Sequence, residues 1–583
     1  MHSTRREERG LEGEVRAHPH LNPPPLGAGK HPGACPLPTP QTNTLSLTPP
    51  RSPPKTVVPY TIEQLAYSYS TAQMCIQLVW FKRDLRLHDH PALSAAAARG
   101  PVLPLYIVEP SLIHAPDFAA RHWAFIRGCL VELRANLARL GQPLVVRVGE
   151  AVEVLEHLVS TWPIEAIWAH EETGNLLSYA RDRAVRRWAR ARRIPFHELP
   201  QNGVVRRLPS RDEWQARWEE RMAAAQAQPP SALPPLAIDP GTIPTADELS
   251  LPPDTLSEHQ PAGETAALQT LTDFLHRRSQ HYHRALSSPL TAWEGCSRLS
   301  AYLAWGALSI RTVVQATHHR IAELAFNPSP AIRGWVRALN AFESRLHWHC
   351  HFIQKLEDEP EIEVRNLVRA YDGMREENHR PDLLVAWASG RTGYPFVDAC
   401  MRALTATGWL NFRMRAMLVS FVAYDLWQHW REPALILARR WIDYEPGIHY
   451  SQMQMQAGTS GNRTIRIYNP VKQGIDHDPE GIFIRRWVPE LAHIPTPYIH
   501  TPWLLDRHGQ ERAGCRIGRD YPAPIVDHEA AYRRARAAIA AVRARPETAQ
   551  EAAAVYQRHG SRTWRPQRRP SKTVSSRQLR LDL

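Results

Sequence analysis

The chain has 583 residues and a formal net charge of +13. That is enough for two domains with substantial cores, and the charge favours a polyanionic partner, with nucleic acid first. No apolar run reaches membrane-spanning length and no secretory h-region is visible, so no membrane partner and a cytoplasmic location are expected. Seven scattered cysteines without a CxxC pair argue against a thiolate metal cluster and fit a reducing compartment.

Residues 1–73 are rich in proline, serine, threonine and charge, as in Pro49-Pro50-Arg51-Ser52-Pro53-Pro54. Such composition cannot bury a core and predicts disorder. A start at Met74, immediately before the first strand, is the alternative. From 74 to 205 an α/β rhythm is predicted. Strands at 76–81, 102–108, 144–148, 166–169 and 196–199 alternate with helices at 91–99, 121–140, 152–161 and 181–193, giving a doubly wound, Rossmann-like parallel sheet. No G-x-G-x-x-G follows the first strand. Ligands favour the carboxyl edge of such a sheet, here the loop 82–86 and the loop at Glu171-Glu172-Thr173-Gly174. Residues 206–262 are expected to form an interdomain linker, a short helical piece holding Trp214 and Trp218 followed by 225–262, which are rich in proline, alanine and acidic residues. Residues 263–505 are helical almost throughout, and 506–545 add a helix from about Asp527. Residues 546–583 carry eight Lys and Arg against three acidic residues and are expected to form a disordered basic tail.

The stretch 391–490 organises the helical part. Phe396, Val397, Cys400, Met401 and Leu404 recur at helical spacing, and Thr407-Gly408 marks a stop. Residues 412–427 are apolar on nearly every face and predict a buried helix. Yet Arg413 and Arg415 stand at its N-terminal end, where the helix dipole disfavours cations. A buried guanidinium needs a carboxylate or a bound anion, and Asp443 and Glu445 are the candidates within the block. Upstream, Glu294-Gly295-Cys296-Ser297-Arg298-Leu299-Ser300 precedes an apolar helix at 301–308. It reads as a phosphate site or as an ordinary Ser N-cap. His347 and His351 share a helix face with Cys350 beside them, but no carboxylate lies between them, so no metal is expected. The abundant tryptophans suit a core and also stacking on bases or a planar cofactor.

Val79-Trp80-Phe81-Lys82-Arg83-Asp84-Leu85-Arg86 with His90-Pro91-Ala92-Leu93 resembles the opening of the photolyase/cryptochrome family. So do Cys296 to Ser300, Thr392-Gly393-Tyr394-Pro395 with Asp398, Gly408-Trp409, Arg466-Ile467-Tyr468-Asn469-Pro470 and Phe483-Ile484-Arg485-Arg486-Trp487-Val488-Pro489-Glu490. The motifs stand in family order over roughly 77–503. The resemblance implies an α/β antenna domain followed by an all-α FAD-binding domain. It also implies FAD as cofactor, an antenna pigment (methenyltetrahydrofolate or deazaflavin) as an optional second one, and damaged single- or double-stranded DNA as partner of a monomer. Carried over by position, Tyr282, Cys296, Ser297, Arg298, Leu299, Ser300, Arg345, His349, Arg415, Asp443, Glu445 and His449 would bind the cofactor. Trp348, Trp430 and His449 would serve the photochemistry.

The chain departs from the family pattern at several of these positions. His449 stands where dimer photolyases usually place an asparagine facing flavin N5, and Met453 where the flavin-proximal relay tryptophan belongs. Trp430 matches the middle relay tryptophan, and the distal one has no counterpart near Glu377. In the substrate pocket Trp348 keeps a stacking tryptophan, while Arg345, Phe412 and Met455 replace a glutamate, an asparagine and a second tryptophan. The resemblance therefore implies light-driven repair of pyrimidine dimers, with a blue-light photoreceptor as the alternative.

Overall fold

The computed structural model describes residues 75–326, 329–461 and 465–562. The reading of 1–73 as disordered lies outside the described residues. β1 (Ile76–Phe81) is buried at every position, as expected of a central strand covered on both faces. It pairs in parallel with β2 (Val102–Val108) and β4 (Ile164–His170), Val79 standing opposite Pro104 and Trp168. With β3 (Val145–Val148) and β5 (Phe196–Leu199) the sheet has the order β3-β2-β1-β4-β5. Helices Pro91–Ala97, Ala120–Arg139, Ala151–Thr161 and Leu176–Arg192 make the crossovers. The strand order reverses between β1 and β4, so their carboxyl ends form the switch point of the sheet.

The segment predicted as a linker is packed rather than free. Trp214 and Trp218, on the helix Trp214–Ala223, join Leu233 and Leu251 in the core that also holds the inner face of the sheet. That core continues into the first part of the helical half, through Leu271, Phe274 and Leu339. A second core begins at Leu356 and gathers Trp387, Leu404, Leu418 and Trp430. The long helix Pro330–Asp358 runs between the two and packs against the helix Pro446–Ala457.

Four expectations change. The helix predicted for 412–427 is α-helical only over Phe412–Ser420. It then widens into a π-helical turn at Phe421–Asp425, and Trp427 adopts a φ of 56°. A single inserted turn of this kind re-aims the chain without ending the burial. At its start Phe412 is exposed, not buried. The helix predicted for 301–308 is only Ser300–Ala304. It stops because Gly306, at φ +69°, lies so close to the loop after β1 that a Cβ would sit 2.0 Å from the Arg83 carbonyl oxygen. Finally, part of the expected basic tail is a helix, Pro546–His559, with Pro546 in its first turn. Thr548 and His559 are buried there, and His559 and Arg558 both pair with Glu359. Only 14 residues of that segment needed a surface to fold on, and average composition hid them.

Arg121, on the second of these crossover helices, joins the halves. It donates to both oxygens of Asp254 at 3.0 and 2.7 Å, to Arg440 O at 2.8 Å and to Thr405 O at 3.1 Å. Arg121→Met keeps the volume and strands these acceptors. We expect it to lower stability by about 3 kcal/mol, at the lower end for a broken buried pair because Asp254 reaches solvent, measured as a lower urea midpoint.

Candidate functional site

The loop after β1 carries three cations, and the fold uses all of them. Lys82 Nζ lies 2.7 Å from Asp182 and 3.7 Å from Glu172. Arg181 binds the same two carboxylates at 2.7 Å each and also pairs with Glu109. Burial pushes Glu109 up to about 7 and Glu172 is drawn down to about 2, since desolvation of Glu172 is outweighed by Lys82 and Arg181. The carboxyl edge where a ligand was expected is thus filled by its own ion network. Arg86 donates to the backbone oxygens of Asp89 and Gly306 at 3.0 Å each. Arg83 crosses to the helical half, donating to Ala304 O (2.9 Å) and Tyr444 O (2.8 Å) and pairing with Glu445 at 3.1 Å.

Asp84 holds this loop in shape. Its carboxylate accepts from the Lys82 backbone N–H at 2.6 Å and meets His170 Nδ1 at 2.6 Å and His90 Nε2 at 3.1 Å. Burial disfavours the Asp84 anion, but the two imidazoles hold its pKa well below the usual range. Three ligand atoms this close could take a metal; the hydrogen bonding argues against it. The Leu93 N–H donates to His90 Nδ1 at 3.0 Å, so the His90 proton is on Nε2 and the lone pair a metal would need there is absent. The His347/His351 pair is likewise engaged: Arg211 contacts His351 Nδ1 at 2.6 Å, and His347 packs edge-on against Trp214 and Trp218.

The predicted cofactor residues gather at the seam between the two cores. Arg415 grips Asp443 with two parallel hydrogen bonds of 3.0 and 2.7 Å, and Ser300 adds a third bond to that carboxylate. Arg415 also donates to Leu410 O at 2.7 Å and lies 4.1 Å over the Trp441 ring. Glu445, the other candidate partner, instead meets Arg83 from the sheet half. Burial raises its pKa despite that cation. On the segment before Ser300, Arg298 has φ +62° and its guanidinium lies 4.0 Å from each of the Trp293 and Trp409 rings. Leu299 is buried, and Cys296 and Ser297 offer their carbonyls outward to Arg278. Tyr282 is buried on the first core with its hydroxyl toward Arg345. His349 is pushed down to about 4 by burial, with the Arg83 charge adding.

His449 is neutral, pushed down to about 4 by burial, and its Nε2–H donates to Ala434 O at 2.9 Å. Trp430 is fully buried with its N–H on Asn366 Oδ1 at 2.7 Å. Trp348 stacks on Phe352 with ring centroids 5.6 Å apart. Sequence reasoning did not single out Phe352, Lys355, Tyr444, Tyr450 or Asp117 as functional. Phe352 four residues beyond Trp348, and Lys355 three beyond Phe352, on one helix face were the signal available for the first pair; Asp117 lies in a loop with no motif.

For the FAD implied by the resemblance, the buried polar atoms supply the test. Arg298 Nη1, Glu445 Oε1 and Asn411 Oδ1 are buried without a protein partner, a cost that a polar ligand removes. A cation with a free N–H beside the Cys296–Ser300 segment suits a diphosphate, and a paired Arg–Asp beside an aromatic wall suits a polar ring edge. The residues fit. The carboxyl edge of the sheet does not fit a pigment in the same way, and the recess lined by Arg83, Thr173, His349 and Glu445 holds only about 30 Å³, roughly one water.

Comparisons with known proteins cover both halves of the chain. A family profile described as DNA photolyase matches residues 77–211, and one described as the FAD binding domain of DNA photolyase matches 342–541. The chain is 32% identical to a cryptochrome DASH of Gloeobacter violaceus over 476 residues, 77% of this chain and 93% of that one. It is 32% identical to a deoxyribodipyrimidine photo-lyase of Escherichia coli over 494 residues, 81% and 99% of the two chains. The crystal structure of a class III photolyase from Agrobacterium tumefaciens superposes with a TM-score of 0.71 at 29% identity, covering 82% of this chain and 99% of that one. An archaeal photolyase from Sulfolobus tokodaii, described with two FAD molecules, gives 0.65 at 25% identity, with 80% and 100% covered.

Asp443 yields a prediction with a definite sign. Its burial raises the pKa, but the Arg415 pair and its hydrogen bonds outweigh this and the net value is lowered. A depressed carboxylate stabilises the fold fully above its unfolded value of about 3.9 and loses that contribution as pH falls through the folded value. Asp443→Ala leaves Arg415 uncompensated, so it should cost about 3 kcal/mol in urea unfolding at neutral pH and lower flavin occupancy. The deficit relative to the parent protein should begin to shrink below about pH 4, where the unfolded chain's carboxylate takes up its proton, and close as pH falls through the lowered folded value.

Proposed function

Because the chain belongs to the photolyase/cryptochrome family, we propose that it is an FAD protein that repairs pyrimidine dimers in DNA under blue light. The observation that supports repair most directly is one face of the helix Pro330–Asp358. Arg345 is exposed there, Trp348 and Phe352 follow as a stacked pair, and Lys355 sits 5.0 Å over the Phe352 ring. Among the described residues the Lys355 ammonium has no carboxylate partner. Burial, with Arg211 adding, draws its pKa down to about 8. Stacked rings flanked by unpaired cations suit a strand whose bases lie on the aromatics and whose phosphates meet the charges.

On this reading residues 74–205 form the antenna-type α/β domain, 263–505 the FAD-binding domain, and 206–262 the packed connection between them. FAD held by the Cys296–Ser300 segment and the Arg415–Asp443 pair would supply, when reduced and excited, the electron for splitting a dimer. The chain's own residues do the rest. Arg415 and Asp443 set a fixed charge pair beside the ring system. Trp348 offers its face to a dimer turned out of the stack, a step that costs least for damaged and poorly stacked bases. Arg345 and Lys355 hold the flanking phosphates. His449 supplies shape and a lone pair rather than a proton, since its N–H is committed to Ala434. The filled carboxyl edge makes an antenna pigment there no part of this proposal. The protein acts as a monomer in the cytoplasm.

A photoreceptor without repair is the second reading, favoured by Arg345, Phe412 and Met455 in place of the family's dimer contacts. Purified protein should be yellow and should restore dimer-containing single- or double-stranded DNA under blue light. Yellow protein without repair overturns the first reading in favour of the second, and a protein that cannot be loaded with FAD overturns both. Trp348→Ala should weaken binding to damaged DNA by about 1–3 kcal/mol, measured by titration in the dark, with little change in flavin content.

A further inference from the structure

A line of buried rings leaves the neighbourhood of His449 and does not depend on Met453. The Tyr450 ring lies 5.3 Å from that of His449 and 6.5 Å from those of Trp430 and Tyr444. Tyr450 is 2% exposed and Trp430 is fully buried. Two phenols and a carboxylate then form a chain of their own. The Tyr444 hydroxyl donates to Asp117 Oδ2 at 2.7 Å and stands 3.3 Å from the Tyr450 hydroxyl. Tyr444 has one proton and commits it to Asp117, so the Tyr450 hydroxyl is the donor in the second bond. Asp117 Oδ2 also accepts from Asn175 Nδ2 at 2.9 Å, which fixes its position from the sheet half.

We propose that Tyr450 is a redox-active residue that gives an electron to the photo-excited oxidised flavin and rests as a neutral tyrosyl radical. One electron leaves the Tyr450 phenol for the flavin. The Tyr450 proton passes to the Tyr444 oxygen as Tyr444 hands its own proton to Asp117. The products are a flavin carrying one more electron, a neutral radical on Tyr450 and a neutral carboxylic acid at Asp117, so charge and protons balance. A phenol loses its proton readily once oxidised, and a prepared acceptor is what allows the radical to persist in a buried site.

Neighbouring groups do not offer this outlet. The Trp430 N–H is held by the Asn366 amide oxygen, which cannot take a proton at any ordinary pH. His429 packs on Trp430 at 5.3 Å but is not hydrogen-bonded to its N–H. A hole reaching Trp430 therefore returns to Tyr450, the one ring of the pair with a carboxylate at the end of its hydrogen-bond chain. Met453 removes a tryptophan from the route that the family resemblance implies, and the Tyr450 chain stands beside that gap. The inference rests on flavin binding and not on whether the protein repairs DNA or senses light.

The test is electron paramagnetic resonance of FAD-loaded, oxidised protein frozen under blue light. The expected spectrum is that of a neutral tyrosyl radical, narrowed when the protein is made with ring-deuterated tyrosine and lost in Tyr450→Phe. Tyr444→Phe and Asp117→Asn should keep the flavin spectrum and shorten the radical's lifetime, and a solvent deuterium isotope effect should accompany its formation. A tryptophan radical of equal yield in the parent and in Tyr450→Phe would overturn the proposal. Flavin content and circular dichroism of each variant, compared with the parent, separate a lost radical from a lost fold. Flash oxidation of the same proteins by a soluble ruthenium complex reads the Tyr450 radical without FAD. That arm shows whether Tyr450 is where the radical rests even where flavin loading, and with it the functional reading, fails; no tyrosyl radical there overturns the proposal.

Discussion

The guanidinium of Arg83 is the contact on which the site's geometry depends. It leaves the first strand, stacks 4.8 Å over Trp305 and binds Ala304 O, Tyr444 O and Glu445 together. Ala304 ends the short helix that begins at Ser300, and Tyr444 and Glu445 follow Asp443 directly. One cation in the sheet half thus fixes the spacing between the Cys296–Ser300 segment and the Arg415–Asp443 pair, the two walls of the cradle. Asp84 makes this possible by locking the loop, and Gly306 by letting the short helix approach the Arg83 carbonyl. Replacing this half-buried guanidinium would leave all three acceptors without their donor at once, which is why the arrangement tolerates little change.

This gives the α/β half a role distinct from carrying a pigment. Its carboxyl edge, the usual ligand position in such sheets, is closed by Lys82, Arg181, Glu109, Glu172 and Asp182, while Arg83, Arg121, His122 and Asp117 all reach into the helical half. His122, pushed down to about 4 by burial, contacts Trp441 O at 2.8 Å, beside the ring over which Arg415 lies. The sheet acts as the frame against which the helical core is positioned.

The strands were legible because five of the six β1 positions are apolar, Gln77 being the exception, and the helices between strands keep their period. Arg415–Asp443 was legible for a different reason: a cation at the wrong end of a buried helix must find an anion, and the turn at 443–447 offered Asp443 and Glu445 as candidates. Glu445 shows the limit of that logic, since its partner Arg83 comes from the far side of the sequence. The π-helical turn at Phe421–Asp425 has no signal of period or composition, because every residue in it is buried whichever ladder it follows. Tyr444 and Tyr450 carry no motif in the sequence, and only the position of Asp117 shows that their hydroxyls form a chain. The Pro546–His559 helix was obscured by the arginines that follow it.

The separation between Arg83 and its partners also has a temporal side. Arg83 and Tyr444 are 361 positions apart, and His559 meets Glu359 across 200. At a synthesis rate of roughly 5–20 residues per second, the last strand, ending at Leu199, is made about 12 to 50 seconds before Tyr444. Through that interval Arg83 and the acidic side chains around it must stay hydrated while the apolar strands beneath are already covered. Loop closures of this span come late and slowly. The nascent chain therefore passes through a stage with a folded sheet and an open, charged face, and assembly of the cradle is the step that ends it.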